Sequence, residues 1–148
     1  MFEESQTMSG RALLALLVFL TALQLLQLIY TSISVQEIAR TAALALVVVV
    51  GLALLFRLKT SVGDGAVYAR FPLGLGRRVM LSDILAAEVV SYRPLRDFGG
   101  WGYRIRPGRT MLNVRGTRAV RLDLADGGAL YIGSQRPEEL LHAVQTAR

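Results

Sequence analysis

The chain has 148 residues, room for one small domain and one or two membrane spans. With 53% hydrophobic residues and a mean hydropathy of +0.43 beside 19% charged residues, apolar and charged residues must be segregated along the chain. Cysteine is absent, which excludes disulfides, thiolate metal sites and thiol catalysis together.

The charge is segregated too. Residues 1–56 carry Arg11 and Arg40 against Glu3, Glu4 and Glu37, a balance of 2 − 3 = −1, and residues 57–148 carry the other 15 basic and 8 acidic residues, a balance of +7. The basic side is 16 Arg and one Lys, Lys59; a GC-rich coding bias produces that ratio as readily as phosphate binding does.

Residues 1–11 read as an N-terminal cytoplasmic tail. A transmembrane hairpin over residues 12–58 follows. Its first span, residues 12–30, is apolar from Ala12 to Tyr30, roughly 28 Å as a helix. A cleaved signal peptide competes with that reading, but Glu3 and Glu4 make the leading segment acidic and no small-x-small cleavage site follows. The second span, residues 38–58, is uncharged from Thr41 to Phe56, with Val47-Val48-Val49-Val50-Gly51 at its centre. Arg40 and Arg57 bracket it, and their long stems can reach the headgroups on either side. The crossing, roughly residues 31–40, is too short for a domain. Within it Ser34 and Glu37 stand three apart, as in a capping box that opens the second helix. Gln24 and Gln27 share one face of the first helix, and Ala39, Ala43 and Gly51 form a small-residue stripe on the second, a pattern that packs the hairpin on itself or on a second copy. Arg57, Lys59 and the following Arg residues predict, by the positive-inside rule, an inner-membrane protein with both termini cytoplasmic.

From residue 59 to 148 the period changes to that of strands. Leu58–Val62 and Ala66–Phe71 meet at Gly63-Asp64-Gly65, a hairpin signal. Strands are expected over Arg78–Leu81, Ala87–Arg93, Thr110–Arg115, Ala119–Leu124 and Ala129–Ile132, with a long loop from Pro94 to Gly108. A helix runs from Pro137 to about Thr146; Pro137 suits its first turn, Glu138 and Glu139 complement its dipole, and Leu140, Leu141 and Val144 give it an apolar stripe.

Seven antiparallel strands followed by a helix is the order of a pleckstrin-homology-like (PH-like) barrel. Two stretches, Gly99-Gly100-Trp101-Gly102-Tyr103-Arg104 and Ile132-Gly133-Ser134-Gln135-Arg136-Pro137-Glu138-Glu139-Leu140, resemble bacterial PH-like domains that follow a pair of transmembrane helices. The resemblance covers roughly Leu58 to Arg148. It implies a membrane α-hairpin followed by a mainly-β PH-like barrel with a C-terminal α-helix, and a binding or assembly role without catalysis or cofactor. The phosphoinositide motif of eukaryotic PH domains, a basic first hairpin, does not carry over: this hairpin holds Asp64 and neither Lys nor Arg at its turn.

The Pro94–Gly108 loop is the most chemically loaded segment. Arg93, Arg96, Arg104, Arg106 and Arg109 surround Phe98, Trp101 and Tyr103, and strand counting puts Arg77 and Arg78 on a neighbouring turn. The candidate binding residues are Arg77, Arg78, Arg93, Arg96, Trp101, Tyr103, Arg104 and Arg106. They fit three occupants: anionic headgroups with Trp101 at interfacial depth, a protein partner anchored by Trp, Tyr and Arg, or a barrel end plugged by Trp101. His142, the single histidine, sits on the exposed face of the last helix. Asp97-Phe98-Gly99 lacks the rest of a kinase site, Gly74-x-Gly76 lacks a third glycine, and the carboxylates show no spacing for acid–base work. Charge alone would permit nucleic acid, but a membrane tether and interspersed acids argue against it. The expectation is a membrane-anchored, non-enzymatic module that binds protein partners, itself or anionic lipid. A ligand-sensing or accessory subunit of a larger membrane complex is the alternative.

Overall fold

The computed structural model describes residues 1–30 and 34–148. The chain divides into two units: residues 8–55 form one, and residues 1–7 with 56–148 form the other.

The first unit is a pair of helices, α1 (Gly10–Tyr30) and α2 (Val35–Leu55), each long and apolar enough to cross a membrane. The Ser9 hydroxyl accepts the Ala12 N–H at 3.2 Å, capping α1. The capping box of α2 forms as expected. Glu37 Oε2 accepts the Ser34 N–H at 3.0 Å, and Ser34 Oγ accepts the Glu37 N–H at 3.3 Å. The rest of the expected crossing, residues 31–33, lies outside the described residues. Within the hairpin the least exposed positions are Leu13, Leu16, Leu20 and Gln24 on α1 and Ile38, Ala45, Val49, Gly51, Leu52 and Ala53 on α2. Of the expected small-residue stripe on α2, Gly51 is half-buried, whereas Ala39 and Ala43 are exposed.

The second unit holds two sheets and a helix. The expected seven antiparallel strands are nine among the described residues: β1 (Phe2–Thr7), β2 (Arg57–Gly63), β3 (Ala66–Arg70), β4 (Gly76–Met80), β5 (Ile84–Ser91), β6 (Gly102–Arg106), β7 (Arg109–Asn113), β8 (Arg118–Leu124) and β9 (Ala129–Gly133). One sheet has the order β1-β2-β3-β4 and the other β5-β8-β9-β7-β6, so the strands do not close into one barrel. Nor are they all antiparallel, because β9 runs parallel to β7. The extra strands are β1, in residues expected to be a tail, and β6, inside the expected loop.

β1 pairs with β2 from Phe2↔Val62 to Thr7↔Arg57. The two apolar helices are thus an insertion in the turn of a β-hairpin. Phe2, Glu4 and Gln6 point inward beside Leu58, Thr60 and Val62. The core contains Leu58, Val62, Val67, Ala69 and Val79 from one sheet and Leu112, Val120, Leu122, Leu130 and Ile132 from the other. Helix α3 (Pro137–Ala147) adds Leu140 and Val144, and packs on β1, β2, β5 and β8, so it contacts both sheets.

The connection from β9 to α3 clasps β1. Glu4 is buried, and its carboxylate accepts Ser134 Oγ–H at 2.5 Å and the Gln135 N–H at 2.9 Å. Gln6 Nε2 donates to Gly133 O at 2.7 Å, and Arg136 Nη2 donates to Glu3 O at 2.9 Å. These bonds satisfy a charge that would otherwise be costly to bury.

Candidate functional site

The Pro94–Gly108 segment is built around Phe98. A wide helical turn over Pro94–Phe98 ends at Gly99, whose φ of 74° is left-handed. Asp97 Oδ2 accepts the Arg93 N–H at 2.7 Å and ties the turn to its start. Phe98 is buried with Tyr92, Met111 and Ala119, meeting the Tyr92 and Tyr131 rings edge-on at 6.1 and 5.2 Å. The Arg109 guanidinium lies 5.4 Å from its centroid. Phe98, not Trp101, is the plug here. It seals the outer face of the second sheet.

A buried polar network fixes where β6 begins. Asn113 is fully buried; its Oδ1 accepts the Gly102 N–H at 2.9 Å and its Nδ2 donates to Tyr92 Oη at 2.7 Å. Tyr92 in turn donates to Gly116 O at 3.3 Å. Burial pushes the Tyr92 hydroxyl above its ordinary pKa, and the Asn113 hydrogen bond offsets only part of that rise. A Cβ on Gly102 would lie 3.7 Å from Phe56 Cε1, so the start of β6 stands next to the residue that immediately follows α2.

The eight residues singled out from sequence fall on two sheets. Arg77 and Arg78 are on β4 of the first. Arg93 and Arg96 flank and occupy the helical turn of the second, Trp101 precedes β6, and Tyr103, Arg104 and Arg106 lie on that edge strand. Trp101 is 40% exposed. Arg104 Nε donates to Trp101 O at 3.1 Å, closing the turn on itself. Arg106 and Arg104 pass over Gly99 and Gly100, where a Cβ would come within 3.0 and 3.4 Å of their Nη2 atoms. The glycines allow two guanidinium groups to gather beside an exposed Trp.

No protein-family model matches the chain, and a search of curated proteins finds no match either. The functional reading therefore rests on the residues themselves.

Charge pairing separates the cations into two classes. Arg121 meets Asp123 at 2.8 Å and Glu88 at 3.4 Å, Arg136 meets Glu139 at 3.0 Å, and Arg118 bonds Glu138. The Arg118 hydrogen bond holds the Glu138 carboxyl below the ordinary range. Among the described residues, the guanidinium groups of Arg93, Arg96, Arg104 and Arg106 form no ion pair. Nor do Arg57, Lys59, Arg70 and Arg78 on the first sheet, of which only Arg78 was singled out from sequence. Their signal was the positive charge at strand positions 57, 59, 70 and 78, which becomes a single face only once the register is known. Three or more His, Asp or Glu side chains placed to hold a metal ion do not occur among the described residues. The chemistry on offer is the binding of anions and of flat apolar surface.

Proposed function

We propose that the protein is a non-catalytic binding module anchored at the cytoplasmic face of the inner membrane. Its two helices cross the bilayer, and its β domain is a divergent PH-like fold that presents the unpaired Arg residues and Trp101 to a partner. The observation that carries this reading is the pairing of Thr7 with Arg57. Strands on either side of the helices must lie on one side of a membrane to pair, so the chain between them crosses an even number of times. Cleavage after α1 would strip β1 from its clasp, which argues for an uncleaved anchor.

Edge strand β6 favours a protein occupant, either another protein or a second copy. An edge strand offers unpaired backbone groups to an incoming strand. Exposed Ile105 and Trp101 supply apolar contact, while Arg104 and Arg106 select against indiscriminate pairing. The test is photo-cross-linking of the full chain in its native membrane from position 101, with position 82 as a control. A discrete adduct from 101, weakened by Arg104→Glu, supports the reading; equal smears from both positions overturn it. Anionic lipid is the remaining class of occupant for the basic face.

An accessory subunit of a larger membrane complex is the second reading. Neither helix has a buried residue, and the Gln24 amide nitrogen is shielded without a hydrogen-bond partner. A neighbouring helix would supply one. Co-purification of a stoichiometric membrane partner in mild detergent, lost on Gln24→Leu, supports that reading.

A further inference from the structure

The outer face of the first sheet carries a second basic surface. The register sets Arg57, Lys59 and Ser61 of β2 beside Tyr68 and Arg70 of β3 and Arg78 of β4, opposite the inward Leu58, Thr60 and Val62. Glu3, Arg57, Lys59, Tyr68 and Arg70 are among the residues that line an open cleft of about 540 Å³. Two guanidiniums, Arg70 at 4.9 Å and Arg78 at 5.3 Å, lie over the Tyr68 ring. The local balance is four cations against one carboxylate, 4 − 1 = +3, and among the described residues none of the four is ion-paired.

An unusual turn stands at the same end. Because Lys59 pairs with Arg70 and Arg70 with Gly76, the β3–β4 turn lies at the Arg57 end of the sheet. The turn is closed by Phe71 N–H donating to Leu75 O at 2.6 Å. At its tip Leu73 has a φ of 64°, a left-handed conformation that leucine rarely adopts, and 83% of its surface is exposed; Leu75 is 55% exposed. In water neither the strain nor the exposure is compensated. An apolar environment would compensate the exposure.

Sequence connectivity says which environment. Only Phe56 separates Leu55, the last residue of α2, from Arg57. Two residues of chain reach at most about 7 Å, comparable to the headgroup layer of one leaflet.

We propose that the Arg57 end of the β domain is an anionic-lipid binding surface. Leu73 and Leu75 enter the interfacial layer, and Arg57, Lys59 and Arg70, with Arg78 behind them, bind the phosphates of adjacent anionic lipids. Guanidinium forks suit phosphate oxygens, and basic residues near an anionic leaflet gain attraction that falls off over a Debye length. This surface lies on the first sheet, adjoins the start of β6 only at Phe56, and rests only on the anchored part of the reading above.

The test uses the full chain in lipid nanodiscs. With no native cysteine, Leu73→Cys and, as a control on the turn at the opposite end of β4, Ser82→Cys each take one environment-sensitive fluorophore. In discs containing phosphatidylglycerol, the label at 73 is expected to shift to the blue and to lose most of its access to aqueous iodide, several-fold relative to the label at 82. Lys59→Glu with Arg70→Glu should restore that access, and excess inorganic phosphate should not. A label at 73 as open to iodide as that at 82 in every lipid overturns the proposal, and Leu75→Cys repeats the measurement should the first site be perturbed. Displacement by inorganic phosphate also overturns it, in favour of a free anion. Failure of the chain to enter discs at all would instead sink the anchored reading, and loss of the cross-link at position 101 would leave the lipid surface standing.

Discussion

Single side chains hold this domain together at points where polar groups are buried. Glu4 is the sharpest case. Glu4→Ala leaves Ser134 Oγ–H and the Gln135 N–H without their acceptor and removes two hydrogen bonds to a carboxylate. The expected loss is about 2–3 kcal/mol, read as a lower unfolding midpoint of the full chain in detergent, with Trp101 emission as the probe. A change under 0.5 kcal/mol, roughly the scatter of surface substitutions, would mean that the clasp does not hold β1. Tyr92 gives a signed pH dependence. Its folded pKa is raised, so between its unfolded value near 10 and the folded value the native state keeps a proton that the unfolded state has lost. Stability from this group is therefore complete below pH 10 and lost as pH rises through the folded value. Melts above pH 10 should fall more steeply for the wild type than for Tyr92→Phe; parallel curves would assign the loss to other groups. Glu138 has the opposite sign, its contribution being present above the unfolded value and lost as acid protonates it.

Elements differ in how openly the sequence declares them. The two helices are plain because nearly every position is apolar, and α2 even announces its start through Ser34 and Glu37. Seven strands were legible from alternation and turn residues. β1 was not, since its inward positions are Phe2, Glu4 and Gln6: two of the three are polar, so the alternation that marks a half-buried strand is missing. Its burial is settled by partners more than 120 residues away, which no local pattern encodes. β6 did carry a signal. Tyr103 and Ile105 alternate with Arg104 and Arg106, and Pro107-Gly108 is a two-residue turn between Arg106 and Arg109. The surrounding glycines hid it within an apparent loop. The same segment shows why the site was half legible: Trp101 and its Arg neighbours were conspicuous, whereas the choice of Phe98 as plug depends on which face of the second sheet the turn covers. The β3–β4 turn offers a separate check on strain. Asn tolerates the left-handed region better than Leu, so Leu73→Asn should stabilise the domain in detergent by up to about 1 kcal/mol. If the turn is shaped for a bilayer, the same substitution should weaken its contact with anionic lipid. A variant that is neither more stable nor less lipid-bound would show that Leu73 is held for another reason.

At the scale of the whole molecule, the helices are a long insertion in one β-hairpin, and this makes a strong claim about what folds alone. Thr7 and Arg57 are cross-strand partners, within about 4.5–5.5 Å between Cα atoms in an antiparallel pair. Residues 8–56 can then be replaced by a short Asn-Gly turn, which should join β1 to β2 and yield a soluble domain that unfolds cooperatively. A fragment starting at Arg57 retains eight of the nine strands but lacks Phe2, Glu4 and Gln6. It exposes the edge of β2, leaves the Ser134 Oγ–H and the Gln135 N–H without their Glu4 acceptor, and uncovers core around Leu58 and Val62, so it should aggregate or bind a hydrophobic dye. The contrast separates two accounts of the N-terminus that predict the same membrane topology. If residues 1–7 were a tail, both products would behave alike, and adding a synthetic peptide of residues 1–7 would change nothing. If β1 is structural, the loop-closed domain is stable and the shorter fragment recovers stability only when that strand is supplied.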